Sequence, residues 1–377
     1  MTVLFWILGI LAVPTAIFLL WLLWVFLKEL FSPSPDDDGD TDADADADAA
    51  RAAKAAAKLG LLPVERQNTD LAAPLPEQWA AALAAVRGGD WQPAADLLAA
   101  VGRDWDRRSA LAYVLADQAA EEDAWLLAWE AARPDDPDAA VVRARSTVIL
   151  AWKIRGAKKA KYTTQEQFEG FHRTLTSARQ DVARAAALNP DDPTPFVAEI
   201  WVALGLGYPN ARMDELWTEI TSRAPHHYEA HFSALQYWCA KWRGSERLAR
   251  EFAERAAAGA PLGSLLTVLP LIAHFEHDES DDTEADNTPE MRARVEAALA
   301  DAAAADPSHP RLPELRHLLA YYLHLQGRNE AALEQFRLVD GYVNALPWRH
   351  DSDMAGYYCR VRNTTVALAE EEATAGV

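Results

Sequence analysis

Three short phrases recur along the chain: "AARPDDPDAA" (131–140), "ALNPDDPTPF" (187–196) and "AADPSHPRLP" (304–313). Each closes an alanine-rich stretch and opens another. Proline cannot continue a helix that precedes it, and aspartate or asparagine caps the next one by accepting a hydrogen bond from a free backbone N–H. The phrases are therefore read as punctuation between helices. Between them, apolar residues return at three and four positions, as in 109–132 and 313–326. Proline and glycine fall between these stretches, and no run of alternating β-branched residues appears. The pattern predicts an all-α protein.

The punctuation has a period. Pro190, Pro225 and Pro261 stand 35 and 36 residues apart, close to the spacing of helical-hairpin repeats. A second register starts at Gly89, Gly244 and Gly327, each read as the turn inside a helix pair. Five residues on stand Ala94, Ala249 and Ala332; nine on, Leu98, Ala253 and Phe336; twelve on, Val101, Ala256 and Val339. A small residue is needed where two helices approach closely, and larger ones fill between pairs. On these residues the stretch 74–371 resembles a tetratricopeptide-like array, best at 225–261 and 309–341 and fairly at 76–101. The resemblance implies an α-solenoid of antiparallel helix pairs over 69–377. Pro134 to Pro190 is too long for one pair and predicts an insertion or long helices; 278–287 is a second break. Alanine-rich coiled helices would mimic part of the pattern.

Within the best-matching stretch, 226–264 resembles a domain family of unknown function marked by a Trp-Gly-Gly-Ser tetrapeptide. Here the four are Trp242, Arg243, Gly244 and Ser245, with Arg243 in place of the first glycine. The resemblance implies no activity. Physically, Gly244 is read as a left-handed helix stop and Ser245 as an N-cap. A tetratricopeptide-like array implies a concave face that binds extended peptides or partner helices. His231, Tyr237, Trp242, Arg316 and Tyr322 are the candidate partner-binding residues, each aromatic also suiting the core. The last helix, expected at 353–371, either fills that face or caps the array.

The first segment is of a different kind. Residues 3–27 carry no charge. As a helix they would reach roughly 37 Å, enough for the hydrocarbon core of a bilayer. Trp6 sits near one end, Trp21 and Trp24 near the other, and Pro14 is a place for a kink. No basic leader and no small-residue cleavage site accompany the run, against a signal peptide; a buried core helix is the other alternative. Residues 1–31 are thus expected to be a single-pass transmembrane anchor. Lys28, Arg51, Lys54 and Lys58 follow it, favouring a cytoplasmic body. Eight aspartates between Asp36 and Asp48 predict an extended, disordered tether, and 50–60 predicts a short helix closed by Gly60, so that 32–68 joins anchor to body.

A net charge of −21 disfavours nucleic acid as a partner. Two cysteines, Cys239 and Cys359, give no disulfide framework and no metal-ligand spacing; Cys239 on an apolar helix is read as a buried, inert thiol. No phosphate-binding glycine loop or nucleophile motif is present, and no cofactor is called for. His226, His227 and His231, and His274 and His277 beside Asp278, are loose clusters read as surface or groove histidines rather than metal ligands. Lys153, Arg155, Lys158, Lys159 and Lys161 form a basic patch in an acidic chain, suited to a solvated loop, to anionic lipid or to an acidic partner. The combined expectation is a membrane-anchored adaptor that binds a protein or peptide partner and is not an enzyme. The rivals are a metal-dependent hydrolase using the His226–His231 region and a self-associating envelope structural protein. The sequence leaves the oligomeric state open.

Overall fold

The computed structural model describes residues 39–156, 162–278 and 283–375. The expected transmembrane helix at 3–27 lies outside them, as do Lys158, Lys159 and Lys161. Among the described residues there are sixteen α-helices and no strand; one isolated parallel bridge joins Asn68 to Tyr342. None of these helices is long and apolar enough to cross a membrane. The chain divides into two compact units, Met1–Ala52 and Ala53–Val377.

Helix α1, Gly39–Lys58, begins in the first unit and ends in the second. It corrects the expectation of an extended tether from residue 39 onward, because the Asp-Ala run from Gly39 is helical; residues 32–38 of the expected tether lie outside the described residues. Alanine has the highest helix propensity of all residues, and aspartates in a first turn complement the positive end of the helix dipole. These local terms offset the repulsion between neighbouring carboxylates.

The second unit is built from α2 (Glu77–Arg87), α3 (Gln92–Val101), α4 (Trp105–Ala119), α5 (Ala124–Ala132), α6 (Pro137–Arg155), α7 (Gln165–Leu188), α8 (Thr194–Leu206) and α9 (Asn210–Thr221). It continues with α10 (Tyr228–Trp238), α11 (Glu246–Ala258), α12 (Leu269–Phe275), α13 (Pro289–Ala304), α14 (Leu312–Leu325), α15 (Asn329–Val339) and α16 (Met354–Ala375). Consecutive helices pack on one another, as in α2 on α3, α10 on α11 and α14 on α15. Of the positions in the glycine register, Ala94, Ala249, Ala332, Leu98, Ala253 and Phe336 are all 0% exposed and Val339 is buried, while Val101 and Ala256 are half-buried. Gly89 and Gly327 have φ of +88° and +64°, the left-handed turn that only glycine adopts without strain.

The long stretch between Pro134 and Pro190 is two long helices. The pair α6 and α7 runs antiparallel: Thr147 bonds Asp181, the Trp152 ring meets Phe171, and Gln167 donates to the Ile154 carbonyl. Thr164 and Gln167 form a reciprocal capping box at the start of α7.

The three punctuation phrases converge on one helical turn, at the start of α4. Arg108 bonds Asp138 of the first phrase and Asp192 of the second, both at 2.6 Å. Arg107 pairs with Asp306 of the third and bonds Ser308. Asp106 lies 3.8 Å from His309 and accepts from the Tyr228 N–H at 2.9 Å. Asp192 is completely buried, so its charge is held by Arg108 and by the Thr194 N–H that it caps. Residues read as helix punctuation are thus also the ligands of a shared cationic hub.

The two ends of the second unit also meet. Asp340 accepts from the Leu62 N–H, Gln67 Nε2, Arg362 Nη1 and the Tyr358 hydroxyl. Arg362 also donates to the Leu62 carbonyl. The last helix packs on α15, and Val366 joins Leu333, Ala55, Ala56 and Leu61 in a small apolar cluster. It therefore packs on α15 and anchors the segment 55–62.

Candidate partner-binding face

Three of the five residues expected in an open groove lie in the interior. Tyr237 and Tyr322 are 0% and 1% exposed, and their hydroxyls donate to the Tyr208 and Leu271 carbonyls. His231 is buried, its Nδ1–H donating to the His227 carbonyl while its ring meets Trp217 edge-on. Burial lowers its pKa to about 4 against the opposing pull of that hydrogen bond. These side chains have no surface to offer a partner, which corrects their reading as groove residues. The cause is side-chain length: long aromatic residues span the gap between neighbouring helices and find backbone acceptors there. Arg316 is half-buried with no ion pair among the described residues, and burial alone lowers its pKa.

Trp242 is different, and it joins the other predicted site. The guanidinium of Arg155, at the end of α6, lies 5.6 Å from the Trp152 ring and 5.9 Å from the Trp242 ring. Trp152 in turn meets Trp242, Trp201 and Phe171 edge-on. Apart from these rings, Arg155 donates only to the Gly156 carbonyl. It has no carboxylate partner among the described residues. Lys153 of the same basic patch is neutralised by Asp117 and Glu121, at 2.9 and 3.2 Å.

The surface continues from Trp242 to Arg243, which is exposed and lies against Gly207, the left-handed C-cap of α8. A side chain at position 207 would collide with that guanidinium. Tyr208 follows, with exposed Arg179 stacked 5.9 Å from its ring. Arg179 then borders an open cleft of about 510 Å³ with Thr176, Phe196, Glu199 and Arg212. Only Arg212 in this run is paired, to Glu215 at 2.9 Å and Glu199 at 3.6 Å. Arg155, Arg243 and Arg179 thus each lie against aromatic or backbone surface and form no ion pair among the described residues, although Glu199, which accepts from the Tyr208 hydroxyl, lines the same cleft as Arg179. A stacked guanidinium still presents in-plane donors to a planar anion such as carboxylate. Nothing in the sequence marks Arg179 or Arg212, because each reads as an ordinary solvated charge on its own helix.

Among the described residues, the His226–His231 region presents no group of three converging metal-ligating side chains. His226 is exposed, and His227 caps α10, its Nδ1 accepting from the Ala230 N–H at 3.0 Å. That fixes the neutral ring's proton on Nε2, which faces the Trp105 carbonyl and Ser109 Oγ, each at 3.0 Å. A carbonyl only accepts, so Nε2 is committed as a donor and cannot take the Ser109 proton. Asp106 approaches the same nitrogen, at 3.9 Å, rather than Nδ1. The trio is not a Ser-His-Asp relay, in which the acid must hold the opposite nitrogen. Cys239 is completely buried, and burial raises its thiol pKa to about 12. At neutral pH it stays protonated and unreactive.

No family model, curated protein or solved structure matches this chain.

Proposed function

We propose that the protein is a membrane-anchored adaptor whose second unit is a tetratricopeptide-like α-solenoid, and that its partner docks an acidic segment on the Arg155–Trp242–Arg243–Arg179 face. The observation that carries this reading is the group of stacked arginines that form no ion pair among the described residues, on a chain of net charge −21. What sets these three apart from other arginines without an ion pair is that each lies against aromatic rings or backbone that are linked through Trp242, Gly207 and Tyr208. Trp152 and Trp242 add apolar area beside the charge, the combination that dominates binding energy at protein interfaces. The N-terminal apolar run is the anchor in this reading, and α1 is a helical spacer behind it.

The test is a crosslinked pull-down of the full-length protein from host membranes, wild type against an Arg155→Gln, Arg179→Gln, Arg243→Gln variant. A partner captured by wild type, lost with the variant and weakened by added salt supports the reading. Equal capture by both proteins overturns it.

A further inference from the structure

A separate cluster lies at the end of α12. His274 Nε2 is 3.0 Å from Asp286 Oδ1 and 3.6 Å from Asp278 Oδ2. The three ligand atoms lie within 4.8 Å of one another. Two carboxylates therefore converge on one imidazole nitrogen. Asp286 is buried and has no other cation against it among the described residues.

The surroundings carry a second, independent sign. Gln326 is 4% exposed and donates through Nε2 to the Asp286 carbonyl at 3.0 Å, while its Oε1 has no hydrogen-bond partner. His274, itself buried, leaves Nδ1 equally unpartnered. Buried polar atoms are nearly always satisfied; Nδ1 points away from the carboxylates, but Gln326 Oε1, on a side chain bonded to Asp286, marks a polar surrounding that lacks a component among the described residues. His277, one turn from Ala273, is not part of it: Nδ1 bonds the Ala273 carbonyl and Nε2 accepts from the Ala240 N–H.

We propose that His274, Asp278 and Asp286 bind one first-row divalent cation, of which zinc is the best match. One imidazole nitrogen and two carboxylate oxygens suit zinc, and three protein ligands leave a fourth position open. The ion would fasten the end of α12 to the turn that precedes α13.

The experiment is a zinc titration of the purified full-length protein after removal of metal by chelator, followed by competition with an indicator dye. One equivalent per chain is expected. His274→Gln and Asp286→Asn should each weaken binding by at least about tenfold, since even changes to outer-shell partners cost that much. His277→Ala should bind as wild type does. Cobalt added in place of zinc should give visible d–d absorption that one equivalent of zinc abolishes. Failure of the wild type to bind one equivalent, or undiminished binding by a folded His274→Gln, overturns the proposal. If both variants fail to fold by circular dichroism, Asp278→Asn, which alters the more accessible carboxylate, decides by the same criterion.

Discussion

Single residues in this protein do two jobs, and the buried ones set its response to mutation and pH. Asp192 is legible as a helix-capping aspartate. Its burial against Arg108, whose side chain is 4% exposed, is not legible, because the pairing spans 84 positions of sequence. Removing one member of a buried pair leaves the other charged and desolvated, at a cost of about 3–5 kcal/mol. Arg108→Ala should therefore lower stability by that amount in urea titration, whereas Arg247→Ala, which breaks an exposed pair with Glu251, should change it by less than about 1 kcal/mol. The buried histidines give a pH dependence of definite sign. His317 accepts at Nδ1 from Trp348 Nε1, a group that only donates, so the ring is held neutral and burial lowers its pKa to about 4. His231 behaves alike. An unfolded chain protonates both near 6.5. Their contribution is thus complete above about pH 6.5 and is lost as pH falls towards 4. Glu229 acts next: burial would raise its pKa, but Arg311 and Arg145 overcome this and hold it at about 2. Its contribution is present above about pH 4.5 and is lost towards 2. Thermal melts should show a midpoint falling steadily below pH 6.5, and His317→Gln should flatten the upper part of that fall.

At the scale of elements, the turn into α11 shows which local rules survive packing. Ser245 is the N-cap, its hydroxyl accepting from the Leu248 N–H at 3.2 Å. Gly244 is not the left-handed stop that its sequence position suggests, because its φ is not positive. Glycine is needed there for another reason: a Cβ would overlap the Trp238 backbone, which folds back across the turn. Ser245→Ala should cost about 1 kcal/mol. Gly244→Ala should cost more, since the obstructing atoms are backbone and cannot swing away; urea unfolding of the two variants checks the order. Helix α1 shows the opposite balance. There, local propensity and the helix dipole outweigh the charge repulsion that an acidic run invites.

Across the whole second unit, Asp340 is the side chain on which the closure of its two ends is centred, beside backbone bonds of Asn68 and Leu71 with 341–344. It gathers donors from Leu62 and Gln67 at one end of the unit and from Tyr358 and Arg362 near the other. Asp340→Ala should free the segment 59–72 before it unfolds the helices. Hydrogen exchange of that segment should accelerate while exchange in α6 and α7 stays at the wild-type rate; uniform acceleration across the chain would refute this role.

By itself the sequence determined the helical class, the punctuation between helices and the buried small-residue register, because these follow from proline geometry, capping and the 3.6-residue period acting within a few positions. Only the tertiary structure decided which aromatic residues face inward, since Tyr237 and Tyr322 look the same in sequence whether they meet solvent or a carbonyl on another helix. It alone brought Arg155 to Trp242 and Arg108 to Asp192, contacts between residues 84 or more positions apart that no local pattern encodes. His274 and Asp286 are nearer in sequence, 12 positions apart, yet their meeting too depends on how the chain turns between α12 and α13. Charge placement follows the same division: composition sets the total, and packing decides which arginines are left without a carboxylate.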